Sequence, residues 1–186
     1  MFSARSRIAL ALLSLPLAAG FASPPTAHPA PAPAKKIVVG QPAPHFTLKT
    51  FDKQTVTLAD LRGQVIVINL WATWCAPCKA EMPMMDAYFR AHRHKGLRIY
   101  GVQTQDSIPP FRLRELAGVL AYPLTLSFRG GGYEDVKAVP TSYIIDRKGI
   151  VRYAQANALD HDEFDALLRP LLAEPAPAAP PTAAPK

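Results

Sequence analysis

The chain has 186 residues, 49% of them hydrophobic, with 21 basic side chains against 14 acidic ones and a formal net charge of +7. It contains only two cysteines, so no second cysteine pair exists to complete a four-ligand structural zinc site. The basic residues are scattered apart from Arg90 to Lys95, which reads as the solvated end of a helix, and nucleic-acid binding has no other support.

In chain order, the N-terminus has the pattern of an export signal. Arg5 and Arg7 precede an apolar stretch from Ile8 to Ala19, broken by Pro16, and small residues follow. Cleavage after Ala22 gives residues 1–22 as signal peptide and takes away two arginines and no acid, leaving a mature charge of about +5. The stretch is short for a spanning helix, which needs ~20 residues, but an uncleaved anchor through residues 8–22 stays open as a membrane tether. No cysteine is present there to carry a lipid. Residues 23–35 and 173–186 are rich in proline and alanine and cannot bury a core; they are expected to be a linker and a disordered tail. The folded part is then residues 36–172, one domain of ordinary size.

Within it, Phe46–Lys49 and Thr55–Leu58 alternate around Asp52-Lys53, which predicts a small hairpin, followed by a brief helical turn at Leu58–Leu61 closed by Gly63. Val65–Leu70 is a short β-branched run, hence a buried strand, and Ala76 to about His94 reads as a helix with a kink at Pro83. Leu97–Val102 is a second buried strand. Pro109 and Pro110 open a helix to about Ala117, Tyr122–Phe128 is extended, and Gly130–Gly132 is a flexible turn. Thr141–Asp146 and Ile150–Ala154 form a hairpin around Lys148-Gly149. A final helix starts near Asp160, with Glu163 placed to close a capping box and Leu159, Phe164, Leu167, Leu168, Leu171 and Leu172 forming its apolar face. Alternating strands and helices closed by a hairpin and a helix predict an α/β fold, a central sheet covered on both faces.

Both cysteines lie in Trp74-Cys75-Ala76-Pro77-Cys78, at the junction of the buried strand and the first long helix. That position sets a thiol beside unpaired backbone N–H groups and the positive end of the helix dipole. An ordinary thiol is about 3% thiolate at pH 7, and lowering its pKa to about 7 raises this to roughly half. Nucleophilicity falls with pKa, so attack gains only several-fold, but a low-pKa thiol also leaves well. Cys75, at the helix entrance, is expected to be the exposed attacking sulfur, and Cys78, one turn in, the shielded resolving one. Pro77 has no N–H to leave unpaired and a φ suited to the first turn. A structural disulfide is the weaker alternative, because so small a loop constrains the unfolded chain little. Two inert buried thiols are the other.

These stretches resemble the thioredoxin superfamily, and more closely its exported TlpA/ResA-like branch, related to the redoxin and AhpC/TSA proteins. The resemblance is carried by Gly40–Leu48, Leu61–Gln64, Val65–Leu70, Trp71–Pro83 and Val139–Asp146, in the family's order and spacing across nearly the whole domain. It implies a thioredoxin-like fold, a central mixed β-sheet flanked by helices with an N-terminal β-hairpin extension. It also implies a periplasmic or otherwise extracytoplasmic thiol:disulfide oxidoreductase, soluble or N-terminally anchored, with no cofactor beyond the Cys75–Cys78 disulfide and no metal. Its partners would be disulfide-bearing exported proteins, such as apocytochrome c or a copper-site assembly protein, and a membrane thiol electron donor. By position Cys75 is the nucleophile, Cys78 the resolving thiol and Pro140 the cis-proline facing the disulfide; an ordinary trans proline opening a strand is the alternative. Val139, Trp74, Ala76 and Pro77 would then border the incoming substrate, Val139 through its backbone. Glu81 matches an acidic residue near the active site of this branch, where burial would raise its pKa; a solvated helix carboxylate is the competing reading. Cytosolic thioredoxins carry a buried acid six residues before the first cysteine, where this chain has Asn69, which cannot titrate. Proton handling then falls to Glu81 or water. Trp71 and Trp74 either shape the active-site surface or pack the core, and Lys79 is as well placed to face solvent as to stabilise a thiolate.

Three other readings compete. A disulfide-donating oxidant differs from a reductant only in potential, which sequence does not set. A peroxiredoxin normally has a threonine three positions before its peroxidatic cysteine, where this chain has Ala72. Copper-delivery relatives usually space their cysteines by three residues and add a distal histidine and aspartate; here the spacing is two and His161 is the only histidine after the motif's helix. A weak two-thiolate Cu(I) site is the most that such a pair supplies.

Overall fold

A computed structural model describes residues 37–104, 108–133 and 135–176. The expected signal peptide, the 23–35 linker and most of the tail lie outside the described residues. Seven strands and three α-helices follow in order: β1 (Thr47–Thr50), β2 (Thr55–Thr57), β3 (Val65–Trp71), α1 (Ala76–His92), β4 (Leu97–Gln103), α2 (Arg114–Val119), β5 (Thr125–Arg129), β6 (Thr141–Ile145), β7 (Val151–Gln155) and α3 (His161–Ala173). Ala173, placed in the tail by composition, is the last residue of α3.

The central sheet runs β4-β3-β6-β7. β3 pairs parallel with β4 and antiparallel with β6, and β6 pairs antiparallel with β7. All seven residues of β3 are buried, which is why its sequence is a continuous apolar run rather than an alternating one. Its two faces serve different cores. Val65, Val67 and Trp71 join a cluster with Met82, Met85 and Phe89 of α1 and Phe164, Leu168 and Leu172 of α3. Ile66, Ile68 and Leu70 join Phe46, Leu48, Phe128 and Tyr133.

The expected hairpin forms, with β1 antiparallel to β2 and Lys53 at φ 68° in the turn. It belongs to a second sheet, β2-β1-β5, in which Leu48 faces Phe128. An isolated parallel bridge, Gly101 with Leu124, and the bond from Gly101 N–H to the Pro123 carbonyl at 3.0 Å join this sheet to β4. The helix expected from Pro109 starts as a 3-10 turn over Pro110–Leu113 and becomes α-helical only at Arg114. α1 runs unbroken through Pro83 to His92.

Two adjacent buried charged residues, Asp146 and Arg147, tie the end of the sheet away from the cysteines. Asp146 accepts from the backbone of Lys148 and Ile150 and from Arg152, which shapes the β6–β7 turn. Arg147, 8% exposed, donates to the carbonyls of Gly63, Lys95 and Leu172 at 2.8, 2.7 and 3.3 Å, pinning the turn before β3, the 3-10 turn before β4 and the last turn of α3 together where β3 begins.

Candidate active site

β3 delivers the chain to a short turn, Ala72–Cys75, and α1 begins at Ala76 with Cys75 as its N-cap. The Cys75 sulfur accepts the Cys78 N–H at 3.2 Å, taking one of the donors a helix start leaves unpaired. Pro77 occupies the first turn, where no N–H is required. Cys75 and Cys78 are joined in a disulfide, Cα to Cα 5.3 Å.

In this oxidised form the expectation of an exposed Cys75 fails: it is 2% exposed and Cys78 is fully buried. Both sulfur-bearing residues belong to the core cluster between β3, α1 and α3, so the N-cap position does not carry Cys75 out to solvent. The exposed surface is made by its neighbours Trp74, 62% exposed, Ala76 and Pro77. Val139 is half-buried against the same cluster, Pro140 is buried, and the Val139–Pro140 bond is cis. Lys79 is exposed, and Trp71 is buried in the core.

Glu81 is not a solvated helix carboxylate. It is 5% exposed on the inner side of α1. Oε1 accepts from the Asn69 side-chain amide at 2.7 Å and Oε2 accepts from the Leu159 N–H at 3.2 Å. Burial pushes the carboxyl above its ordinary range, and those two hydrogen bonds pull part of the way back. Asn69 also donates to the Ser142 hydroxyl at 3.1 Å, so β3, α1, β6 and the segment before α3 meet at one polar knot, one turn along α1 from Cys78. Among the described residues the Asn69 side-chain carbonyl, the Trp71 indole N–H and the Tyr122 hydroxyl are buried without a hydrogen-bond partner. Burial first, then the negative charge of Glu81, pushes the Tyr122 phenol up.

Sequence reasoning placed Glu81 near the site but missed Ser142 and the Leu159 backbone, which come from elements 61 and 78 positions further on. No local pattern marks them. The 690 Å³ cavity lined by Pro42, Leu58, Arg62, Ile66, Arg147 and Lys148 lies where β3 begins, at the other end of the strand from the cysteines. The described residues hold no group of three or more His, Cys, Asp or Glu suited to a metal ion.

Residues 39–154, which run from before β1 through most of β7 and include both cysteines and Glu81, match the family model described as AhpC/TSA family. The chain belongs to this family. It is 32% identical over 130 residues to the thioredoxin-like protein YneN of Bacillus subtilis, covering 68% of this chain and 76% of that one. It is 34% identical over 143 residues to the thiol-disulfide oxidoreductase ResA of Oceanobacillus iheyensis, covering 70% and 71%. A crystal structure from Chlorobium tepidum assigned as a thiol:disulfide interchange protein DsbE superposes with TM-score 0.62 at 26% identity, over 74% of this chain and 99% of that one. The fold is therefore thioredoxin-like, the branch is TlpA/ResA-like, and the protein is a thiol:disulfide oxidoreductase that carries a Cys-x-x-Cys pair, Cys75 and Cys78, joined in a disulfide. No helix among the described residues is long and apolar enough to cross a membrane.

Proposed function

We propose that this oxidoreductase works as a reductant of disulfides in exported proteins, of the kind needed for cytochrome c maturation or copper-site assembly. The observation that carries the reading is the Cys75–Cys78 disulfide at the N-terminus of α1, backed by a buried carboxyl and bordered by exposed Trp74, Ala76 and Pro77, in a chain similar to ResA. The signal-like N-terminus supports an extracytoplasmic location, with residues 8–22 as a tether where they are retained.

In the reducing direction the Cys75 thiolate attacks a substrate disulfide, forming a mixed disulfide and expelling one substrate thiolate. The Cys78 thiolate then attacks the Cys75 sulfur, closing the internal disulfide and expelling the second. Two electrons and the two protons of the dithiol end on the substrate. The buried Glu81, one turn further along α1 than Cys78, is the carrier for those protons in this reading, and a membrane thiol donor restores the dithiol. Pro140 and the Val139 backbone, together with exposed Trp74, are the groups that would border an extended substrate segment.

Cys75→Ala abolishes reduction of a protein disulfide, and Cys78→Ala accumulates covalent adducts with exported proteins that dithiothreitol releases. Retained activity in Cys75→Ala overturns the mechanism. Turnover of hydrogen peroxide at a rate matching disulfide exchange, or tight Cu(I) binding without exchange, redirects the assignment.

A further inference from the structure

Glu81 has two oxygens and both are taken by donors, the Asn69 amide NH₂ and the Leu159 N–H. That arrangement fits a carboxylate. A protonated carboxyl needs an acceptor for its own O–H, and neither donor supplies one. Leu159 N–H is main chain and has no second role to offer. Asn69 has: its carbonyl oxygen is buried and unpartnered on the same amide that faces Glu81.

We propose that Asn69 is the switching partner of Glu81, donating to the carboxylate through Nδ2 and, with its amide turned end over end, accepting the proton of the carboxylic acid through Oδ1. The second partner of the amide suits both poses. Ser142 Oγ accepts from Nδ2 at 3.1 Å, and a hydroxyl can equally donate to Oδ1. Each pose leaves one end of the amide without a partner, so that cost is of the same kind in both. Leu159 N–H keeps Oε2 throughout, as the carbonyl oxygen of the acid. Glu81 thus gains and loses a proton, exchanged with water or with a thiol of the active pair, without either state leaving it with mismatched hydrogen bonds. An aspartate at position 69 could not do this, since an ionised carboxylate would face Glu81 with an acceptor only. The titratable groups that feel the Glu81 charge from elsewhere are Tyr122, before β5, and Tyr153 of β7, phenols that stay neutral across the range in which Glu81 titrates. Asn69 is a positioning residue here, acting through Glu81.

This inference rests on the reading of Glu81 as the site's proton carrier, but its test needs no turnover. The full chain, oxidised and labelled with ¹³C and ¹⁵N, is titrated by NMR, following the Glu81 carboxyl carbon and the Asn69 side-chain NH₂. The two move together with one midpoint. In Glu81→Gln the carboxamide presents its own NH₂ toward Asn69, which fixes Asn69 in the turned pose. Its NH₂ resonances then match the low-pH limit of the wild type and stop titrating. An Asn69 NH₂ signal that stays constant while Glu81 titrates overturns the proposal, as does a Glu81→Gln spectrum matching the high-pH wild type. Should Glu81→Gln fail to fold, the wild-type titration decides alone. Failure of the oxidoreductase reading shows instead in the Cys75→Ala and Cys78→Ala assays and leaves this titration unaffected.

Discussion

The side-chain amide of Asn69, on β3, donates to the carboxylate of Glu81, on α1, across 2.7 Å with both residues out of water. This bond ties the strand that leads into the cysteines to the helix that leads out of them. It also places a titratable group where burial opposes its charge.

The first prediction concerns pH. Because the Glu81 pKa is raised on folding, the folded state holds its proton more tightly than the unfolded chain. The contribution to stability is fully present below the ordinary glutamate pKa and is lost as pH rises through the raised folded value. Glu81→Gln removes that loss. Urea melts are expected to show the variant gaining on the wild type between pH 4 and pH 8; a constant difference across that range contradicts the assignment.

Arg147→Met tests the other end of the domain. The change deletes a charged donor and orphans the carbonyls of Gly63, Lys95 and Leu172. A loss of about 3 kcal/mol is expected, seen as a lower urea midpoint with little change in slope. Disulfide exchange per folded molecule is unchanged, since Arg147 lies away from the cysteines.

How much of this was legible in the sequence divides by range. The Asp160–Glu163 capping box forms as its spacing predicts, because both of its hydrogen bonds close within one turn. Val65–Leu70 reads as a buried strand because both of its faces are covered. The pairing of β1 with β5, some 80 positions away, left no local mark, since strand partners are chosen by packing over the whole fold. The burial of Cys75 was missed for a related reason. Position at a helix entrance fixes the dipole and the N–H donors, but exposure depends on the long-range packing that draws Cys75 into the core cluster shared with α3.

Gly101→Ala probes the joint between the two sheets. An added Cβ would lie 2.5 Å from Leu124 Cδ2 and 3.3 Å from Tyr122 Cε2, both buried. Overpacking of this kind costs about 1–3 kcal/mol. A thermal melt that matches the wild type would show that the joint has slack the structure does not reveal.

Trp74→Ala separates recognition from chemistry. At 62% exposed its loss changes stability by less than about 1 kcal/mol. Reduction of a protein disulfide is expected to slow by about tenfold, as for an aromatic contact at an interface, while exchange with a small disulfide such as oxidised glutathione keeps its rate. Equal slowing of both would assign Trp74 to the reacting sulfurs instead.

The most direct test of the account is the reduction potential of the Cys75–Cys78 pair, equilibrated against glutathione buffers and read by thiol trapping. A value at or below about −250 mV is predicted, that of a reductant recharged by a thiol donor. A value near about −120 mV would make the protein a disulfide donor and contradict the proposed direction of electron flow.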